Sequence, residues 1–167
     1  VGLALDEHGW IDVETLLARG EAHLELNQID SAEADFDTVL AQDAVNARAY
    51  RGRGEVAAAR GDSQVALTEL TKALRLDPRY GDASESRGDV YLELEDYEKA
   101  ISDFTRAIDL QQDNTKLAML YSRRGVAYLD LQQYEEAVCD FAVAVEKDPL
   151  DADSHAWRGS AQAQLGR

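Results

Sequence analysis

The stretch Arg87–Ala107, RGDVYLELEDYEKAISDFTRA, decides how the chain folds. Its apolar residues Tyr91, Leu94, Tyr97, Ala100, Phe104 and Ala107, continuing into Ile108, recur at intervals of three and four, the period of an amphipathic helix. Glu95-Asp96 breaks the run in the middle with turn-forming residues. The stretch therefore predicts two short helices, A and B, joined by a tight turn. The same pattern returns as Arg124–Ala144, RGVAYLDLQQYEEAVCDFAVA, with Gln132-Gln133 at the turn.

Working outward from this pair, an Arg-Gly mark recurs in register, with its glycine at Gly20, Gly54, Gly88, Gly125 and Gly159, at spacings of 34, 34, 37 and 34. Twelve residues after each of the first four stand Ala32, Ala66, Ala100 and Ala137. Four residues later come Phe36, Leu70, Phe104 and Phe141, and three after those Val39, Ala73, Ala107 and Ala144. Pro78 and Pro149 each lie 24 residues after a register glycine, where proline ends a second helix. A fixed period of this length marks a stacked array of supersecondary units, none of which buries its apolar face alone. The expected fold is all-α, an α-α superhelix built from antiparallel helix pairs. Its units fall at 13–46, 47–80, 81–117 and 118–151, with 152–167 as a lone final helix capping the last pair and 1–12 as a leader. Within a unit the register glycine of helix A is expected to face the alanine of helix B, with the aromatic four residues on filling the wedge. The three extra residues within 111–117 predict an added turn at the start of the fourth helix A, capped by Asp113 or Asn114.

These residues resemble the tetratricopeptide repeat: Arg-Gly-x-x-Tyr, then Leu, Tyr, Ala, Phe and Ala, met most fully by Arg87–Ala107 and Arg124–Ala144 and recurring over Val13–Arg167. The resemblance implies a right-handed solenoid and a protein-interaction role. Unit one departs from the pattern with His23 for Tyr and Ala44 for Pro, and unit two with Ala57 and Ser63 at Tyr positions. The family's carboxylate clamp for chaperone tails needs Lys and Asn at the fifth and ninth positions of the first helix A. Here these are Leu17 and Glu21, or Arg51 and Glu55 one unit on, so the clamp is not met.

Helix A lines the concave side of such an array, and its second, fifth, sixth, ninth, twelfth and thirteenth positions are expected to face a ligand. That predicts a groove holding Arg48, Arg51, Gly52, Glu55 and Ala58 from unit two. Unit three contributes Asp82, Glu85, Ser86, Asp89 and Leu92, and unit four Met119, Ser122, Arg123, Val126 and Leu129. The groove is mixed, acidic in the middle with arginines on either side and an apolar floor. It suits a protein or peptide bearing basic and apolar residues, with Arg51 or Arg123 able to hold a carboxylate.

Composition narrows the alternatives. Acidic residues outnumber basic ones 33 to 17, a net charge of −16, which opposes nucleic-acid phosphate and anionic lipid. Cys139 is the one cysteine, so no intramolecular disulfide forms, which fits a reducing, cytoplasmic setting. No apolar run approaches membrane-spanning length. His8, His23 and His155 are far apart and lack ligand-spaced neighbours, and there is no glycine-rich phosphate loop or calcium loop. No cofactor, metal or catalytic residue is expected.

The leader Val1–Asp12 lies outside the repeat. Residues 2–17 are similar to a short stretch in the N-terminal winged-helix part of RNA 2′-phosphotransferases, but no catalytic residue of that family has a counterpart here. Trp10 and Ile11 are expected to cover the open end of the first helix pair. The main alternatives to a binding scaffold are self-association through the ends, where Trp157 is a candidate, and a regulatory piece of a larger, possibly enzymatic protein. The scaffold itself is expected to be monomeric or weakly self-associating.

Overall fold

The computed structural model describes residues 11–166. Among the described residues it contains nine α-helices. They divide between two compact units, one ending at Arg79 and the other beginning at Tyr80. The first holds α1 (Val13–Glu25), α2 (Ile29–Gln42), α3 (Ala47–Ala59) and α4 (Ser63–Leu76). The second holds α5 (Gly81–Glu93), α6 (Tyr97–Leu110), α7 (Asn114–Asp130), α8 (Tyr134–Lys147) and α9 (Ala152–Gln164).

Odd-numbered helices are the A helices and even-numbered ones the B helices. In the first unit α1 packs on α2, α3 on α4, and α3 also on α1 and α2. In the second, α5 packs on α6, α7 on α6 and α8, and α9 on α8 and α7. The short A–B turns force antiparallel pairs. All four turns share one backbone pattern. After α1, Gln28 N–H donates to His23 O and Asn27 N–H to Leu24 O. The equivalent bonds run from Asp62 to Ala57 and Gly61 to Ala58, from Asp96 to Tyr91 and Glu95 to Leu92, and from Gln133 to Tyr128 and Gln132 to Leu129. This double closure satisfies the last carbonyls of helix A and requires a left-handed residue at its corner. Gly61 fills that corner in one turn; Asn27, Glu95 and Gln132 hold it at φ 56°, 58° and 59° in the others.

The B helices end two residues before Pro78 and Pro149, as the spacing predicted. The added turn of the fourth helix A is present: α7 has 17 residues against 13 in α5, and the Asp113 carboxylate accepts from Lys116 N–H at its start. Asp12, Asn46 and Asp151 cap α1, α3 and α9 in the same way.

The core is a series of rings held against glycines. Phe36, Leu70, Phe104 and Phe141 are fully buried. A Cβ on Gly20 would lie 2.8 Å from Phe36, on Gly54 2.5 Å from Leu70, on Gly88 2.8 Å from Phe104 and on Gly125 2.9 Å from Phe141. The glycine thus makes room first for the ring of helix B rather than for its alanine. The alanine, Ala32, Ala66, Ala100 or Ala137, is fully buried one turn away. Ile11 is half-buried against the first cluster, around Leu16, Leu17 and Phe36. Trp10 and the rest of the leader through that residue lie outside the described residues.

Candidate peptide-binding surface

In the first unit the outward faces of α1 and α3 meet through charge. The Arg48 guanidinium grips Glu21 with two bonds, Nε to Oε1 at 2.8 Å and Nη2 to Oε2 at 2.6 Å. Its remaining nitrogen donates to Glu14 at 2.9 Å. Arg51 reaches Glu21 at 3.4 Å and Glu55, one turn along, at 3.2 Å. Hydrogen bonding from Arg48, helped by the charges of Arg51 and Arg48 against the opposing effect of burial, holds the Glu21 carboxyl below the usual carboxylate range. Five charged side chains, three acidic and two basic, thus form one connected patch.

The second unit repeats the arrangement on α5 and α7. Arg123 Nη1 donates to Glu85 at 2.6 Å and to Asp89 at 3.0 Å. Lys116 Nζ lies 3.4 Å from Asp82. The count is again three carboxylates to two cations. The added turn of α7 supplies this lysine, which lies within the insertion.

The apolar candidates divide. Met119 is exposed. Leu92 is half-buried against the cluster around Phe104, and Val126 and Leu129 against the one around Phe141, so each offers only one edge to solvent. The Ser122 and Ser154 hydroxyls are hydrogen-bonded at 2.9 Å, so Ser122 is engaged with α9. Trp157 is exposed. Gly52 is corrected: it is buried, and a Cβ there would lie 2.4 Å from the Phe36 ring. The sixth position of α3 turns toward the preceding helix B, so this ring is clasped between Gly20 and Gly52. Leu17, a clamp position in the family, is likewise buried in the core.

The reading from sequence missed the pair that joins A to B inside the repeats. Arg87 donates to Asp103 through Nε and Nη2, both at 2.7 Å. Arg124 does the same to Asp140 at 2.7 and 2.8 Å and adds a bond to Thr105 at 2.9 Å. Arg19 grips Asp35 through Nε at 2.8 Å and through Nη2. Asp35, Asp103 and Asp140 are 4, 4 and 6 % exposed, so these are buried carboxylates neutralised by the register arginine. The bond to Asp103 raises the pKa of Arg87, and that to Asp140 raises that of Arg124. In the second repeat Arg53 stands 3.9 Å from Glu69 and 3.2 Å from Asp37. The signal was present: an acid stands 16 residues after each of these arginines, immediately before the ring.

Cys139 is exposed, beside a shallow cavity of about 340 Å³ lined by Arg124, Tyr128, Glu135, Glu136 and Asp140. Among the described residues no group of three or more His, Cys, Asp and Glu side chains is arranged to hold a metal ion. No described helix is long and apolar enough to cross a membrane.

A family model for the tetratricopeptide repeat matches residues 17–70, 56–115 and 122–167. Tetratricopeptide repeat protein 16 of Macaca fascicularis and of Homo sapiens is 38% identical over 69 residues, 41% of this chain and 8% of theirs. The chain therefore matches only a small part of these relatives. Among solved structures, YrrB, a tetratricopeptide-repeat protein with an unusual peptide-binding site, superposes with a TM-score of 0.75 at 26% identity, covering 93% of this chain and 78% of its own. The first repeat domain of Spaghetti (RPAP3), bound to the HSP90 peptide SRMEEVD, gives 0.68 at 26% identity, covering 72% of this chain and 94% of its own.

Proposed function

Because the chain belongs to the tetratricopeptide-repeat family, we propose that it is a non-catalytic scaffold whose A-helix faces bind a protein or peptide rich in basic and apolar residues. The residues that would meet the ligand are Arg48, Arg51 and Glu55 in the first unit. In the second they are Glu85, Asp89, Leu92, Met119, Ser122, Arg123 and Val126. The repeat boundaries are taken as 13–46, 47–80, 81–117 and 118–151, with the remainder as a cap. A reducing, cytoplasmic setting suits the exposed thiol of Cys139.

The observation that carries the reading is the surplus of carboxylate on each face. Arg48 is bracketed by Glu14 and Glu21, and Arg123 by Glu85 and Asp89. An acidic ligand would have to displace two carboxylates from each arginine. A lysine or arginine of a ligand finds acceptor oxygens already fixed in place, which lowers the ordering cost of binding. This separates the chain from its structural neighbour that holds the acidic peptide SRMEEVD. The clamp positions agree, since Leu17 is buried and Glu21 is an acid.

The test is a peptide array screened against three forms of the protein: the parent, a Glu21→Gln/Glu85→Gln/Asp89→Asn variant and an Arg48→Gln/Arg51→Gln/Arg123→Gln variant. For basic peptides the carboxylate variant loses binding and the arginine variant keeps or gains it. The opposite ranking overturns the preference for basic ligands, and identical binding by all three moves the site off the A-helix faces. Self-association is the second reading, favoured by the exposure of Trp157 at 44 %. A monomer by light scattering at high concentration would remove it.

A further inference from the structure

α7 and α9 are joined by a short chain of oxygens. Asp151 caps α9, and its Oδ1 accepts from Asp153 N–H at 3.1 Å and from Ser154 N–H at 3.3 Å. Its Oδ2 lies 2.5 Å from Ser154 Oγ, which in turn lies 2.9 Å from Ser122 Oγ on α7. Ser154 is fully buried and Ser122 half-buried. Ser154 stands five residues before its register glycine, where α3, α5 and α7 carry Ala49, Ala83 and Leu120, all buried and without a hydroxyl. Of these four helices only α9 can pass a proton at that place.

The protons in this chain have one arrangement. A carboxylate only accepts, and each serine hydroxyl has a single proton to give. The Ser154 bond, opposed by burial and helped by the backbone donors of Ser154 and Asp153 and by His155, holds the Asp151 carboxyl below the usual carboxylate range, so the group is an anion. Ser154 therefore donates to Asp151 Oδ2, a short charge-assisted bond. Its proton is then spent, and the bond between the serines is made with the proton of Ser122. The Ser122 hydroxyl points its proton inward and keeps its lone pairs, which no other described residue engages. The charge of Asp151, passed along the two bonds, makes that oxygen a stronger acceptor. Arg123, the next residue, turns to Glu85 and Asp89 of α5 and does not compete for it.

We infer that Ser122 is a specificity-determining acceptor on the A-helix face of the second unit and takes the ammonium group of a ligand lysine; this rests on the groove reading for the presence of a ligand there. A lone acceptor oxygen suits a compact ammonium with three rotatable donors better than the planar fork of a guanidinium. Ser154 and Asp151 are positioning residues, because they fix which way the Ser122 proton points. Asp151→Asn reverses that direction. Asparagine caps a helix as well as aspartate does. Its amide oxygen has to take the place of Oδ1, against the two backbone N–H groups, so its NH2 faces Ser154. Ser154 then gives its proton to Ser122, and Ser122 turns its own toward the groove. The acceptor becomes a donor.

The probes are butylammonium, which copies the tip of lysine, and butyrate, an anion of matched size, each titrated into the full isotope-labelled chain and followed by the backbone amide shifts of Ser122 and its neighbours on α7. Butylammonium should give a saturable shift there and butyrate none. Ser122→Ala and Ser154→Ala should each weaken butylammonium roughly tenfold, the loss of a hydrogen bond to a charged group. Asp151→Asn should invert the preference, with butyrate now giving the saturable shift. Asp153→Asn removes a charge from the same turn but leaves the three oxygens in place, and should keep the parent's preference. Far-UV circular dichroism and the unfolding midpoint verify that each variant is folded. A parent that takes butyrate or neither ion at Ser122, an Asp151→Asn protein that still prefers butylammonium, or an equal change in Asp153→Asn would each overturn the inference. Peptide-array binding of basic ligands without a butylammonium site at Ser122 sinks this inference and leaves the groove reading standing; a butylammonium site at Ser122 with identical peptide binding by all three array proteins does the reverse.

Discussion

The same substitution at two register glycines should change stability in opposite directions. In Gly88→Ala the new methyl would sit 2.8 and 2.9 Å from Cε1 and Cδ1 of Phe104. Carbon pairs prefer about 3.5–4.0 Å, so the ring would have to retreat by most of an ångström. Phe104 is fully buried in close packing and has nowhere to go. Overpacking of this size costs about 1–3 kcal/mol, against a gain of about 1 kcal/mol from replacing glycine inside a helix. The net loss is of the order of 1 kcal/mol. In Gly159→Ala no atom of the described residues opposes the methyl, so only the helix-propensity gain remains, about 0.5–1 kcal/mol. Urea unfolding followed by far-UV circular dichroism should place the parent midpoint between those of the two variants, and amide exchange should show the Gly159→Ala gain within α9. If Gly88→Ala proves as stable as the parent, the glycine–ring contact does not limit packing. If Gly159→Ala is destabilising, a methyl at that position does meet a neighbour.

Three further outcomes follow from single contacts. Gln132→Gly should raise the unfolding midpoint by a few degrees, because relieving a left-handed non-glycine corner is worth roughly 0.5–1 kcal/mol; thermal melts would read it. Asp113→Ala removes the carboxylate that accepts from Lys116 N–H and should cost about 1 kcal/mol, with faster amide exchange confined to the first turn of α7. The folded-state pKa of Glu21 is lowered by its bonds to Arg48, and that of Asp151 by its bond from the Ser154 hydroxyl. Each therefore adds stability above its unfolded pKa, and that stability is lost as pH falls through its folded value. Urea midpoints should decline below about pH 4, and Glu21→Gln should flatten part of that decline without shifting the neutral-pH slope.

The repeat was legible because its marks are single residue types at constant spacing. Arg-Gly, the alanine series and the ring series each fix one position on a helix pair, and together they leave no freedom in the phase. The insertion was legible for the same reason: three surplus residues can only lengthen a helix or a loop, and Asp113 is a good N-cap. The side-chain partners on the A-helix faces were only partly legible. Arg48 meets Glu21 across 27 residues and Glu14 across 34, while Arg123 meets Glu85 across 38. Arg123–Asp89 and Lys116–Asp82 are also 34 apart, so that spacing recurs, whereas the contacts at 27 and 38 depend on how far one helix pair is offset from the next. Gly52 was misread for a different reason. A residue without a side chain carries no polarity, so its place on the helix wheel says nothing about exposure until the Phe36 ring is found against it.

The buried Arg–Asp pairs raise the question of why a carboxylate is kept at 4 % exposure when an apolar residue would fill the same space. Replacing a buried ion pair by matched apolar residues is often neutral or stabilising, whereas removing one partner strands the other charge. Register supplies a reason here. The A and B helices otherwise meet through apolar contacts, Gly88 against Phe104 and the alanines beside it, and apolar contacts can repack in a shifted register at less cost than a buried charge pair can. A slip along the helix axis would separate Arg87 from Asp103 and leave both charges buried, so the pair penalises every register but one. On this reasoning Asp103→Leu alone should cost about 3–5 kcal/mol, while Arg87→Leu/Asp103→Leu should recover most of it. The double variant should nevertheless show uneven amide protection along α5 and α6, reporting more than one packing of the pair. The second repeat supplies the internal control. Arg53 and Glu69 stand 3.9 Å apart, and one Glu69 oxygen is buried without a hydrogen bond. Glu69→Leu should therefore cost far less than Asp103→Leu. Equal losses at the two sites, or a double variant with protection as uniform as the parent's, would mean the ion pair does not set the register.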